Sequence, residues 1–381
     1  MTEKLYYRDA YIKEFSATVL SVTEADGLYS VVLDKTAFFP EEGGQYSDKG
    51  TLSGVAVLDV EEKDGIIYHI TDAPLTVGAA VRGALDFDER YEKMQCHTAE
   101  HILSGLFHSL FGLDNVGFHL GADDVTMDIS APLGKEELMR VERLANEIVY
   151  ENVEVEAIFP SEDELQGMEY RSKLDLKENV RIVKIGEYDS CACCAPHVRR
   201  TGEIGIIKIL EFAKLRGGLR IHITAGRRAL KIFNSLYESA LSVSSKLSIP
   251  KEEISDGVSR LLLSLEDTKR ELSEFRRAKI LEEARLIDTS GENALHVFRN
   301  ASIEEMIAAA NEITDSVLGI LVLLSGVDGD YKYVISSKSI DLRERIKDIN
   351  KSLLGKGGGK SNMVQGSFSA NISAIKAYFN L

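Results

Sequence analysis

Apolar and polar positions alternate with a period close to two through much of the first 88 residues. The segments SATVLSV, LYSVVLD, VAVLDVEE and IIYHIT are β-branched and partly alternating, and turns rich in acid and glycine (EADG, SDKG, EKDG) separate them. Several short strands with few helical stretches predict a small β-barrel or sandwich over 1–88. Residues 89–227 mix periods. AEHILSGLFHSLF has helical spacing after Thr98. In 136–151, Leu138, Val141, Leu144 and Ile148 share one helical stripe. VTMDIS, VEVEAIF, VRIVKIG, IGIIKILEF and LRIHITAG read as strands, so this stretch predicts an α+β domain with an antiparallel sheet. Residues 228–287 read as helix, broken at Ser248-Ile249-Pro250, where proline suits the first turn of a second helix. There Ile254, Val258, Leu261, Leu265, Thr268, Leu272 and Phe275 alternate spacings of four and three. Such a seam predicts a helical hairpin spacer or a contact between two chains. Residues 288–381 return to α/β. VLGILVLLSGV and YKYVISS read as buried strands, LGKGGGKSNMVQG as a loop, and a last helix falls near 370–379.

Composition narrows the class. The chain has 381 residues, 44% hydrophobic and 28% charged, as expected of folded globular domains rather than a disordered chain. No apolar run is long enough for a membrane helix. The start, MTEKLYYRDAYIKEF, has no apolar signal core, so a cytoplasmic protein is expected. The net charge of −16 argues against coating nucleic acid by bulk charge. The charge is uneven, however. Residues 196–231 carry a net +7 and residues 331–381 a net +6, which leaves −29 on the rest. Two basic segments in an acidic chain predict local contact with a polyanion.

The four cysteines are Cys96, Cys191, Cys193 and Cys194. Three of them lie too close in the chain to pair readily, so they read as reduced thiols or metal ligands. His97 and His101 are one helical turn apart and face the same way. Cys193 and His197 have the same spacing between two strands. One thiolate and three imidazoles would complete a zinc set. Spacing alone leaves Cys191 and Cys194 as competitors for the thiolate role. Cys96 points about 100° away from His97 on a helix.

These residues resemble the editing domain of alanyl-tRNA synthetase and its free-standing relatives, the alanyl-tRNA editing proteins of the AlaX type. His97-Thr98-Ala99-Glu100-His101 matches the family's His-x-x-x-His helix, and Cys193 to His197, followed by Thr201-Gly202-Glu203-Ile204-Gly205, matches its second motif. The resemblance implies one zinc per chain held by His97, His101, Cys193 and His197. Thr36-Ala37-Phe38-Phe39-Pro40-Glu41-Glu42-Gly43-Gly44-Gln45 is similar to the family's glycine-rich motif. By that likeness Thr36, with His97 and His101, belongs to the catalytic centre, and Gly43, Gly44, Gln45 and His119 to the substrate side. The chain departs from the family twice here. Many relatives carry a third glycine where Glu42 stands, and small Gly-Gly-Thr-type residues where Cys194-Ala195-Pro196 stand. Lys356-Gly357-Gly358-Gly359-Lys360 looks like the glycine-rich loop of the DHHA1 domain and implies tRNA contact. The likeness covers nearly the whole chain and is to the long form of the editing protein.

The resemblance implies hydrolysis of tRNA(Ala) mischarged with serine or glycine. A pocket built for alanine discriminates such isosteres only about 10–200-fold, so a second hydrolytic site is needed. No GxxxxGK[ST] motif is present, and no aminoacylation is expected. Four protein ligands are also the habit of structural zinc, which keeps open a non-catalytic tRNA-binding module as the alternative. Homodimerisation through the helical spacer or the C-terminal domain is the further expectation.

Overall fold

The computed structural model describes residues 1–122, 124–172 and 180–381. It is a mixed α+β protein with several sheets, and it divides into Met1–Leu241 and Ser242–Leu381.

In the first unit six antiparallel strands close into a barrel, in the order Glu14–Ala25, Leu28–Leu33, Ile66–Thr71, Val55–Lys63, Gly50–Leu52, Ala80–Leu85. Alternation sends Val19, Val31, Leu33, Leu52, Val60 and Ile67 inward, where they are buried. Helix α1 (Phe87–Phe111) follows at once. Asp86 caps it by accepting from the Glu89 amide at 3.1 Å, and Gly112 ends it at φ 64°. The apolar spacing shows this helix only after Thr98, because its first turns bury charge instead of hydrocarbon. Arg90 Nε donates to Asp48 at 2.8 Å and Lys93 Nζ donates to the Ser47 carbonyl at 2.6 Å. Both side chains are fully buried. A buried Asp48 without these partners would be strongly destabilising, so the ion cluster fastens α1 to the segment after the glycine-rich motif.

Helix α2 (Lys135–Glu151) and α1 pack against a four-stranded antiparallel sheet ordered Ile207–Leu215, Gly218–Ala225, Val125–Ile129, Asn115–Leu120. A three-stranded sheet joins Val155–Ile158, Ile182–Ile185 and Asp189–Ala192, with the short α3 (Glu162–Gln166) between the first two in sequence. Helix α4 (Gly226–Leu247) leaves the four-stranded sheet.

The second unit contains α5 (Ile254–Arg285). Its seam residues Val258, Leu261, Leu265, Leu272 and Phe275 are exposed, Phe275 to 71%. Beyond it a five-stranded sheet runs Ala294–Phe298, Leu321–Val327, Asp330–Ser336, Met363–Phe368, Gly355–Gly359, with only the first pair parallel. Helices α6 (Ile303–Ile313), α7 (Leu342–Ser352) and α8 (Ile372–Tyr378) accompany it.

One expectation is corrected here. The segment LGKGGGKSNMVQG is not a loop: Gly355–Gly359 is an edge strand paired with Met363–Phe368. Glycine disfavours strands, but here it is required by close packing. A Cβ on Gly357 would overlap the Tyr333 hydroxyl, whose ring stacks on Phe368 at 4.0 Å. Among the described residues no helix is long and apolar enough to cross a membrane.

Candidate metal centre

Helix α1 presents His97 and His101 from one face, and the turn after Asp189–Ala192 presents Cys193 and His197. Their ligand atoms lie within 4.8 Å of one another. Cys193 Sγ is 3.6 Å from His97 Nε2 and 3.4 Å from His197 Nε2. The three histidines are buried.

Each imidazole is fixed through its other nitrogen. His97 Nδ1 lies 2.9 Å from Gln45 Oε1 and His101 Nδ1 lies 2.9 Å from Asp189 Oδ2. His197 Nδ1 lies 3.0 Å from Thr98 Oγ1, whose own proton goes to the Met94 carbonyl at 2.8 Å. In all three pairs the partner is an acceptor, so Nδ1 carries the proton. Each Nε2 is left to face Cys193, the orientation a metal-binding histidine needs. Arg171 holds Asp189 from the other side at 2.8 Å.

The electrostatics suit an anion at Cys193. Burial alone opposes a thiolate there, yet the imidazoles around it, His97 first, bring the thiol well below its usual range. Burial pushes His197 down to about 3, so its ring is neutral at pH 7. Burial opposes charge on His101 too, but its bonds to Asp189 and Cys193 prevail and raise it. Cys194 is pushed the other way, by burial first and then by the Cys193 charge and Glu42, and it keeps its proton. Cys191 is likewise raised by burial. Cys96 is buried beneath the Ala225 carbonyl, 3.9 Å away.

The ligand turn is shaped by Arg181, whose Nη1 donates to the Cys193 and Ala195 carbonyls at 2.8 and 2.9 Å. Ala195, Cys193 and Cys194 pack on the barrel core. The glycine-rich segment closes over them. Gly43 and Gly44 have φ of 62° and 81°. A Cβ on Gly43 would sit 3.6 Å from Cys194 Sγ, and one on Gly44 would overlap the Phe118 carbonyl oxygen. Glycine is therefore needed for both backbone shape and approach.

Gln45 thus reaches the centre through His97. Thr36 is fully buried in the barrel, with Oγ1 2.8 Å from His69 Nε2 and accepting from the Phe38 amide at 3.1 Å. His119 is exposed on the Asn115–Leu120 strand, while its neighbour Phe118 packs 4.8 Å from the His97 ring. Lys356, Gly357, Gly358, Gly359 and Lys360 belong to the second unit, at its glycine edge strand. Glu100, between His97 and His101, accepts from Ser104 and Asn115. Sequence reasoning missed Asp189, Arg181 and His69. Asp189 carries the one readable signal, a carboxylate two residues before the cysteine cluster.

The family described as threonyl and alanyl tRNA synthetase second additional domain matches residues 180–222, and that described as tRNA synthetases class II (A) matches residues 3–89. The alanyl-tRNA editing protein AlaX-L of Pyrococcus horikoshii is 31% identical over 396 residues, covering 98% of this chain and 96% of its own. An alanine–tRNA ligase of Halobacterium salinarum is 33% identical over 354 residues, covering 86% of this chain and 38% of the ligase. The C-Ala domain of Aquifex aeolicus alanyl-tRNA synthetase aligns at 25% identity with a TM-score of 0.21, covering 25% of this chain and 95% of that domain. With a relative matched from end to end at this identity, the chain belongs to the AlaX-L family of alanyl-tRNA editing proteins.

Proposed function

We propose that the chain is a trans-editing hydrolase that removes serine, and also glycine, from mischarged tRNA(Ala) in the cytoplasm, without charging tRNA itself. The observation that carries this reading is the convergence of three imidazoles on Cys193, each with its Nδ1 held by Gln45, Asp189 or Thr98. The donor set suits zinc. Bonds of about 2.3 Å to sulfur and 2.0–2.1 Å to nitrogen imply a tetrahedral S···N edge of about 3.6 Å, and Cys193 lies 3.4 and 3.6 Å from two of the nitrogens. His97, His101, Cys193 and His197 would hold one ion per chain. Bound there, zinc would supply Lewis acidity toward an ester carbonyl.

The chain's own residues supply selection. Burial lowers His69 to about 4, so it is neutral, and its Nδ1 is 3.1 Å from the Val31 carbonyl. Nδ1 then donates to Val31, and Nε2 takes the Thr36 proton. The Thr36 oxygen keeps a lone pair that can accept from a serine hydroxyl, a group that alanine lacks. Lys356 and Lys360, flanking glycines 357–359, suit phosphate contact in the second unit.

Four protein donors also match the habit of structural zinc, which supports a second reading as a tRNA-binding module without catalysis. Release of serine from Ser-tRNA(Ala), followed with and without a chelator, separates the two. Rapid release that the chelator abolishes supports the hydrolase. Tight tRNA binding with no release supports the module.

A further inference from the structure

We propose that Glu42 holds the free α-ammonium group of the aminoacyl ester at the mouth of the metal group, so that the site selects esters with an unblocked amine. This rests on the hydrolase reading above and names the part of the substrate that Glu42 recognises.

The backbone places Glu42 there. Glu42 and Gln45 exchange two hydrogen bonds, Glu42 N to Gln45 O at 3.1 Å and Gln45 N to Glu42 O at 3.0 Å. Gly43 and Gly44 form the two-residue turn between them, both at positive φ. Directly opposed residues of such a pair project side chains to the same face. Gln45 uses that face to bond His97. Glu42 shares it and acts electrostatically on Cys194, next to the ligand candidate Cys193, and a Cβ on the adjacent Gly43 would sit 3.6 Å from Cys194 Sγ. Two departures from the family pattern, Glu42 for a third glycine and Cys194 for a small residue, therefore meet in space.

The other carboxylates around the centre are committed. Asp189 serves His101 and Arg171, Glu100 serves Ser104 and Asn115, and Asp48 serves Arg90 and Lys93; all three are buried. Glu42 is exposed. Among the described residues no cation pairs with its carboxylate. His97, His101, Cys193 and His197 would themselves be taken up by a metal ion. A carboxylate at the rim can receive an ammonium, and an N-acylated ester offers it neither charge nor three donors.

The test compares Ser-tRNA(Ala) with its N-acetylated form, using the full chain and the variants Glu42→Gln and Glu42→Gly. Calorimetric binding of serinamide and N-acetylserinamide gives a readout independent of turnover, and zinc content is measured alongside. The unaltered protein should favour the free amine by roughly 10- to 100-fold in both assays, the scale of a hydrogen bond to a charged group. Both variants should bring that ratio close to one with zinc content retained. A ratio unchanged in Glu42→Gln, or no preference in the unaltered protein, overturns the proposal. If the protein binds serinamide through Glu42 but releases no serine from tRNA, the hydrolase reading fails and the amine site stands.

Discussion

Gln45 Oε1 sits 2.9 Å from His97 Nδ1, which ties the glycine-rich segment between two barrel strands to the first candidate ligand of the metal group. Contacts of this kind fix the tautomer and orientation of a ligand histidine, and losing one typically costs 10- to 100-fold in metal affinity. Gln45→Leu should therefore weaken zinc binding by that factor in competition with a chromophoric chelator. Gln45→Glu keeps an acceptor for His97 and should retain the metal. Equal affinity in all three proteins would show that the contact does not support the ligand.

Thr36→Val keeps the shape and removes the hydroxyl. It leaves His69 Nε2 buried without a donor, so unfolding free energy should fall by about 1–3 kcal/mol. Serine release should slow by up to roughly tenfold, while glycine release from Gly-tRNA(Ala) changes little. Equal slowing on both esters would mean that Thr36 serves the barrel alone.

The same pair sets a pH dependence. His69 is held near 4 in the folded chain by burial, against about 6.5 when unfolded. Between those values the unfolded state binds more protons, so protonation favours unfolding. The contribution is fully present above pH 6.5 and is lost as pH falls toward 4, on the order of 3 kcal/mol in all. Urea unfolding of the metal-free protein should lose this amount of pH dependence in a His69→Gln variant, leaving the slope that buried His197 gives both proteins.

Much of this arrangement was legible in the sequence, for particular physical reasons. The i, i+4 pairs of His97 with His101 and Cys193 with His197 survive translation into space, because a helix and a tight turn each preserve that spacing. The barrel strands Leu28–Leu33 and Ile66–Thr71 were visible through their β-branched alternation. Gly50–Leu52 and Ala80–Leu85 were not, being short or poor in β-branched residues. The start of α1 was hidden because Arg90 and Lys93, charged and so read as surface, are core residues paired with Asp48. Thr98 carries no pattern that marks it as the partner of His197, and Asp189 only its place two residues before the cysteine cluster, since those pairings arise when distant segments meet. The Gly355–Gly359 strand reads as a loop in sequence because local glycine propensity masks a backbone pairing that only the Met363–Phe368 neighbour supplies.

For the second unit, replacing both Lys356 and Lys360 with alanine should weaken tRNA binding across sequences. The plot of log affinity against log salt should become shallower by about 1 to 2, because each lost phosphate contact releases fewer counterions. Zinc content should stay the same. An unchanged salt slope would place the phosphate contacts elsewhere, with the basic 196–231 segment the first alternative.

The most direct test of the central claim is a titration of metal-stripped protein with zinc while serine release from Ser-tRNA(Ala) is followed. The account predicts that activity is absent at the start, rises linearly and breaks at about one zinc per chain, and that a Cys193→Ala, His197→Ala double variant neither binds that equivalent nor gains activity. Stoichiometric zinc in the double variant, or full serine release by the stripped protein, would contradict it.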